Sequence, residues 1–207
     1  MTVTVAVTGG PGSGKSTVCE RLRDRGAVWV SADALARDAV APGTPGLAAV
    51  VRRFGDGVLA DGGTLDRRRL RRRILADPVA RRDLERIVHP EVVRRMDDEM
   101  AGARRRGVPL FVAEIPLLFE GGLEDRFDQT VAVVAGREAQ IRRLMARDAV
   151  DRAGAEALLD AQMKGAEKAA RADRVIENRG GRGELLAAAD RLYAEWTKKA
   201  PSPSKTP

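Results

Sequence analysis

Nine residues near the amino terminus, Gly9-Gly10-Pro11-Gly12-Ser13-Gly14-Lys15-Ser16-Thr17, match the pattern GxxxxGK[ST] and follow an apolar run, Val3-Thr4-Val5-Ala6-Val7. A polyphosphate needs several donors converging on a small volume. The chain must therefore wrap it with backbone N–H groups, and glycine tolerates the positive φ that wrapping demands. A helix opening at Lys15 adds its positive N-terminal end. In this pattern the lysine bridges the terminal phosphates as a point charge, the Ser16 hydroxyl sits on Mg2+, and Gly12 lets the backbone approach the ligand. Gly10, Ser13, Gly14 and Thr17 complete the expected cradle, whereas Pro11 has no N–H to give. A glycine-rich loop without a ligand is the alternative, but strand, loop and helix follow in the order that phosphate binding requires. The motif leaves the acceptor open, because the same loop serves kinases, GTPases, motors and transport ATPases.

The elements that must position this loop alternate between strand and helix. A helix over about 15–25 is followed by a strand, Ala27-Val28-Trp29-Val30, that ends at Ser31-Ala32-Asp33. Short helices are expected after Ala34, over Leu47 to Phe54, and after the turn Asp61-Gly62-Gly63-Thr64-Leu65-Asp66. Asp77-Pro78 reads as a cap and first position of the next helix, and Pro90 predicts a break at His89-Pro90 before a longer amphipathic helix through Val92, Val93, Met96 and Met100. Val108 to Ala113 and Gln129 to Val134 suit buried parallel strands. An arginine-studded helix from Arg137 to Arg147 is expected to turn Ile141, Leu144 and Met145 inward, with a second helix over about Ala155 to Lys164. Asp173 to Asn178 reads as the last strand and Leu185 to Trp196 as the closing helix.

This alternation, taken with the phosphate-loop motif at its start, predicts an α/β fold, a three-layer sandwich of the P-loop NTPase type with a central parallel sheet, a helical substrate-binding insert and a helical lid. The nucleotide-binding core is expected over about 1–33, 108–136 and 170–198, the insert over 34–107, the lid over 137–169, and a disordered tail over 199–207. Ligands of such sheets bind beyond the carboxyl ends of the strands, where Asp33 and Glu114 fall.

At 207 residues and 43% apolar content the chain is large enough to bury its own core. Cys19 is the single cysteine, which excludes an intramolecular disulfide and fits packing in a reducing cytoplasm. The start, Met1-Thr2-Val3-Thr4, has neither a basic segment nor a long apolar stretch, so no secretory signal, membrane span or membrane partner is expected. The 37 basic residues outnumber 30 acidic ones, and 31 of them are arginines, clustered at 67–69, 71–73 and 104–106. These runs invite a nucleic-acid partner. Single-strand binders, however, interleave aromatic stacking platforms, and aromatics here are only 3%. The basic balance suits small polyanionic substrates equally well, and a monomer is expected.

Thr8 to Ser16, Asp33 with Ala34-Leu35-Ala36-Arg37, Pro42-Gly43-Thr44, Leu65-Asp66-Arg67, His89-Pro90, Ile115-Pro116-Leu117-Leu118-Phe119-Glu120, Gln162 and Asn178 occur in an order that resembles the dephospho-CoA kinases. The likeness spans residues 1 to about 196, and the HP step with the PLLFE segment carries its specificity. The resemblance implies ATP as donor, Mg2+ as cofactor, and phosphoryl transfer to the ribose 3′-hydroxyl of dephospho-CoA, giving CoA and ADP.

It also implies roles. Asp33 orients and deprotonates the acceptor hydroxyl, its alternative being an N-cap for a helix starting at Ala34. Arg143 and Arg147, four apart on one helix face, reach the transferring phosphoryl, or else form a solvated basic face. Glu114 stands where the family more often has aspartate and is either a metal-water contact or a buried carboxylate. Arg37 and His89, the only histidine, shape the acceptor pocket, which Pro116, Leu117, Leu118, Phe119 and Glu120 wall. Asn178 helps to hold adenine. A nucleoside monophosphate kinase, or a nucleotide-switched nucleic-acid-binding protein, are the competing functions.

Overall fold

A strand buried on both faces needs apolar residues in succession rather than in alternation, and the central strands supply them. In β1 (Val3–Thr8) every residue after Val3 is buried, as is all of β3 (Leu110–Glu114) and the middle of β4 (Gln129–Val134). The shorter strands β2 (Val28–Ser31) and β5 (Arg174–Glu177) lie at the edges of a five-stranded sheet of order β2-β3-β1-β4-β5. The pairs β1–β3, β1–β4 and β4–β5 are parallel. This is the computed structural model of the chain, and it describes residues 1–198; the expected tail at 199–207 lies outside the described residues.

Two side-chain boxes fix the register at the start of the sheet. Asp128 accepts hydrogen bonds from the N–H and hydroxyl of Thr4, both at 2.8 Å, while the Asp128 N–H donates back to Thr4 Oγ1. Asp173 and Thr130 repeat the arrangement one strand further on. Buried threonine hydroxyls are thereby satisfied, and a one-residue slip of either strand would leave four polar groups without partners.

The chain divides into two compact units, one built from Met1–Val30 with the residues from Met100 onward, the other Ser31–Glu99. In the first, α1 (Lys15–Asp24) and α9 (Arg182–Lys198) cover one face of the sheet. Val18, Cys19 and Leu22 meet Leu185, Ala189 and Trp196 over Val5, Val7, Val112, Val131 and Val133. A bidentate pair from Arg21 to Asp190 sets the two helices against each other. Burial pushes the Cys19 thiol well above its ordinary range, helped by the charge of Glu114, so this cysteine packs and does not react. The same unit holds α6 (Arg137–Asp148), α7 (Arg152–Asp160) and α8 (Gly165–Arg171), of which α8 lies on β4.

The second unit contains α2 (Ala32–Asp38), α3 (Pro45–Phe54), α4 (Arg67–Ala76) and the first part of α5 (Pro78–Arg105). Its core gathers Val40, Val50, Phe54, Val58, Leu70 and Ala80. Thr44, Asp66 and Asp77 cap successive helices by accepting from Leu47 N, Arg69 N and Val79 N. Each such cap supplies an acceptor for an N–H that the helix leaves unpaired.

Three expectations need correcting. The helix does not break at His89-Pro90: α5 runs through Pro90 without interruption. An interior proline costs about 3 kcal/mol, but apolar residues pack in helical register on both sides, Leu84, Ile87 and Val88 partly buried before it and Val92, Met96 and Met100 buried after. At about 1.5–3 kcal/mol per large buried side chain, that burial prevails. The helix expected over about 155–164 is α7, which begins earlier, at Arg152 with Asp151 as its cap, and ends at Asp160; a separate α8 follows, whose alanine-rich sequence has no strong apolar stripe to reveal it. Ile141 and Leu144 do turn inward, but Met145 is 39% exposed.

Candidate active site

The loop between β1 and α1 has the backbone its glycines foretold: φ is +147° at Gly9, +69° at Gly12 and +104° at Gly14. Lys15 is buried, and its ammonium donates to Gly10 O at 3.0 Å, so the positive charge already lies across the loop. Ser16, the second residue of α1, is exposed and donates through Oγ to Glu114 Oε1 at 2.7 Å. Glu114 ends β3, and its register partner on β1 is Val7, which brings the carboxylate to the end of the sheet where the loop begins.

Two further elements brace the loop. Asn178, just beyond β5, donates from Nδ2 to Ser13 O at 2.8 Å, and its own N–H is held by Val134 O. The side chain is 7% exposed, so its amide group supports the loop instead of presenting itself to an adenine ring. From above, α6 lays Gln140 and Arg143 on the loop: Gln140 Nε2 donates to Pro11 O at 2.8 Å and Arg143 Nη1 to Gly12 O at 2.9 Å. A Cβ on Gly12 would sit 3.1 Å from Gln140 O, so it is α6 that approaches Gly12 closely.

Arg147 does not join Arg143. Its guanidinium makes a bidentate pair with the adjacent Asp148, at 2.7 Å for both contacts, which raises the arginine's pKa and lowers that of the aspartate. Spacing of four residues puts both arginines on one face of a helix, but it does not determine where each guanidinium finds a carboxylate.

The PLLFE segment departs most from the sequence-based expectation. Leu118 and Phe119 are buried, at 0% and 5% exposure, so these side chains are packing residues and not open walls of a pocket. Glu120 is taken up by Lys168 and by the Met163 N–H. Leu117 alone among the leucines and the phenylalanine faces solvent, and Pro116 contributes its carbonyl, which accepts from Thr8 Oγ1 and from Lys168.

Asp33, Arg37 and His89 belong to the other unit. The capping alternative for Asp33 is overturned. Here α2 starts at Ala32 and Ser31 is its N-cap, leaving Asp33 exposed in the first turn with a carboxylate that terminates nothing. Arg37 O accepts from Arg67, and His89 is exposed on α5. Sequence reasoning missed Gln140 and Lys168. Gln140 lies three residues before Arg143 and so on the same helix face, a signal that was available; the burial of Lys168 had none.

Ser16 Oγ and Glu114 supply hard oxygen donors side by side, the type Mg2+ prefers. Among the described residues no group of three or more His, Cys, Asp or Glu side chains could hold a metal unaided. The donor set therefore fits an ion that completes its shell with phosphate oxygens and water, the usual habit of Mg2+ at nucleotide sites.

A family model described as dephospho-CoA kinase matches residues 3–184. The chain is 51% identical to the dephospho-CoA kinase of Anaeromyxobacter dehalogenans, over 92% of its own length and 90% of that protein. A crystal structure from Thermus thermophilus superposes with a TM-score of 0.80 at 40% identity, covering 93% of this chain and 97% of the other. The dephospho-CoA kinase from Campylobacter jejuni gives 0.73 at 26% identity, with 96% and 98% covered. A sheet of this order, a phosphate loop braced by an arginine and an asparagine, and a match along nearly the whole chain lead to one conclusion: the chain belongs to the dephospho-CoA kinase family.

Proposed function

We propose that the protein transfers the γ-phosphoryl group of ATP to the ribose 3′-hydroxyl of dephospho-CoA, releasing CoA and ADP. The observation that carries this reading is the loop 9–17 with Lys15 laid across it, Ser16 on Glu114, and Arg143 on Gly12 O. Phosphoryl transfer asks a protein for positioning and for neutralisation of charge, and these residues supply both. Backbone N–H groups from Gly10 and from Gly12 to Thr17 hold the β- and γ-phosphates, with Lys15 as the fixed cation. Arg143 turns its remaining guanidinium donors to the charge that develops on the transferring group. Asn178 acts by holding Ser13 O, and so the shape of the loop.

Bound at Ser16 and Glu114, Mg2+ would neutralise phosphate charge and orient the oxygens it touches. Asp33 accepts the proton of the acceptor hydroxyl, an exposed carboxylate free of structural duty being suited to that task. The insert, about 34–107, binds dephospho-CoA through Arg37 and His89, with Pro116 and Leu117 contributing from the end of β3. The lid, about 137–169, excludes water when both substrates are bound and so suppresses ATP hydrolysis. No helix among the described residues is long and apolar enough to cross a membrane, and the reaction is assigned to the cytoplasm.

A coupled ADP-release assay offering dephospho-CoA, AMP, CMP and shikimate at equal concentrations tests the acceptor. Turnover with dephospho-CoA well above the others is expected; preference for a nucleoside monophosphate or for shikimate overturns the assignment.

A further inference from the structure

The side chain of Lys168 is completely buried, a costly place for an ammonium unless every donor is used. Its Nζ donates to Pro116 O at 2.6 Å and to both oxygens of Glu120, at 2.8 and 2.9 Å. Burial works to raise the Glu120 carboxyl, but the bonds from Lys168, from its own N–H and from the Met163 N–H together lower it below the ordinary range. Two more contacts run from α8 to this turn and to the segment just after it. Arg171 stacks on the Phe119 ring with its guanidinium carbon 4.7 Å from the centroid, and it also pairs with Glu124.

The turn gripped in this way is tied directly to the phosphate loop. Pro116 O also accepts from Thr8 Oγ1 at 3.2 Å, and Thr8 is the last residue of β1 before Gly9. Ile115 N bonds Val7 O, and Glu114, one residue earlier, holds Ser16. Met163, whose N–H reaches Glu120, lies in the link between α7 and α8. A continuous series of polar contacts thus joins the α7–α8 link and α8 to the turn after β3 and to the stem of the loop.

We infer that Lys168 is a positioning residue for the acceptor: its ammonium clamps the 116–120 turn to α8 and to the phosphate-loop stem, holding Pro116 and Leu117 where the acceptor meets them. This rests on the reading of the reaction given above, but the clamp has a signature of its own. Without the ammonium, the turn and the α7–α8 link lose their common anchor while the sheet and its flanking helices keep theirs.

The test compares the wild type with Lys168→Met, Lys168→Arg, Glu120→Gln and the Lys168→Met/Glu120→Gln double variant. Lys168→Met should raise KM for dephospho-CoA about tenfold or more, with KM for ATP unchanged within twofold. Lys168→Arg should restore most of the loss, and the double variant should be no worse than Lys168→Met, because both changes break one contact. Amide hydrogen exchange should rise together at 116–124 and 161–168 and stay unchanged in β1, β3 and β4. An unaltered KM for dephospho-CoA in folded Lys168→Met, an equal change in both KM values, or additive losses in the double variant would overturn the inference. Where Lys168→Met does not fold, Glu120→Gln carries the same kinetic and exchange comparison. Should the wild type fail to phosphorylate dephospho-CoA, the proposed reaction falls, and unchanged exchange at 116–124 would separately refute the clamp.

Discussion

Replacing Gly9 by alanine subjects the phosphate loop to a quantitative test. At φ +147° the added Cβ would lie 2.2 Å from Val133 O and 2.8 Å from Ser13 Oγ. Carbon and carbonyl oxygen approach no closer than about 3.3 Å even in favourable contacts, so the methyl group overlaps the main chain by about 1 Å. Val133 cannot retreat easily, since β4 is hydrogen-bonded to β1 on one side and β5 on the other. Strain at a backbone angle that side chains rarely adopt costs about 1–3 kcal/mol, and forcing atoms into a packed site adds about 1–3 kcal/mol. The expected loss of about 2–6 kcal/mol is a large share of the roughly 5–15 kcal/mol of a typical domain. Gly62 provides the internal control. It has φ +89°, with nothing within 4 Å of an added Cβ, so Gly62→Ala should show the backbone term alone. Urea unfolding of both variants gives the difference, and titration with ATP should show weakened binding only in Gly9→Ala. If the two variants lose equal stability and Gly9→Ala still binds ATP like the wild type, the loop does not have the geometry described.

Other outcomes follow from the same contacts. Arg143→Ala should lower kcat by about 10³, the scale of an arginine at a transferring phosphoryl, whereas Arg147→Ala, already paired with Asp148, should cost far less; equal losses in steady-state assays would contradict the distinction. Asp33→Asn should lower kcat by about 10² to 10⁴ without shifting Tm, because Ser31 caps α2; a fall of less than about tenfold returns Asp33 to a passive role. Hydrogen bonds from Arg94, then Arg95, hold the Glu91 carboxyl at about 2 instead of 4.5. With the folded value depressed, the stabilisation is complete above 4.5 and is lost as pH falls toward 2. An NMR titration of the Glu91 carboxyl carbon with a midpoint above 4 would refute this pairing.

Much of the site was legible because its signals are local. Gly9 to Thr17 is a contiguous motif whose backbone follows from its glycines, and the central strands announce themselves through runs rich in apolar and β-branched residues, such as Gln129 to Val134. Arg143 was legible as a candidate from its place in a helix, but its separation from Arg147 was not, since Asp148 competes for one guanidinium and Gly12 O takes the other. What failed depends on distant partners. Leu118 and Phe119 look like pocket walls in a motif, yet their burial is decided by packing across the fold. Pro90 looks like a breaker, yet apolar residues on either side keep α5 whole. Lys168, a charged residue in a short alanine-rich helix, carries no sign in sequence that Glu120, 48 positions earlier, waits to neutralise it.

The central claim, that a phosphoryl group held by this loop passes to a ribose hydroxyl, is tested most directly by identifying the product. Incubation with ATP, Mg2+ and dephospho-CoA, followed by phosphorus and carbon NMR of the purified product, should show one new phosphate monoester on the ribose 3′ carbon and one ADP for each molecule formed. ADP released without any phosphorylated dephospho-CoA, or a phosphate at another position, would contradict it.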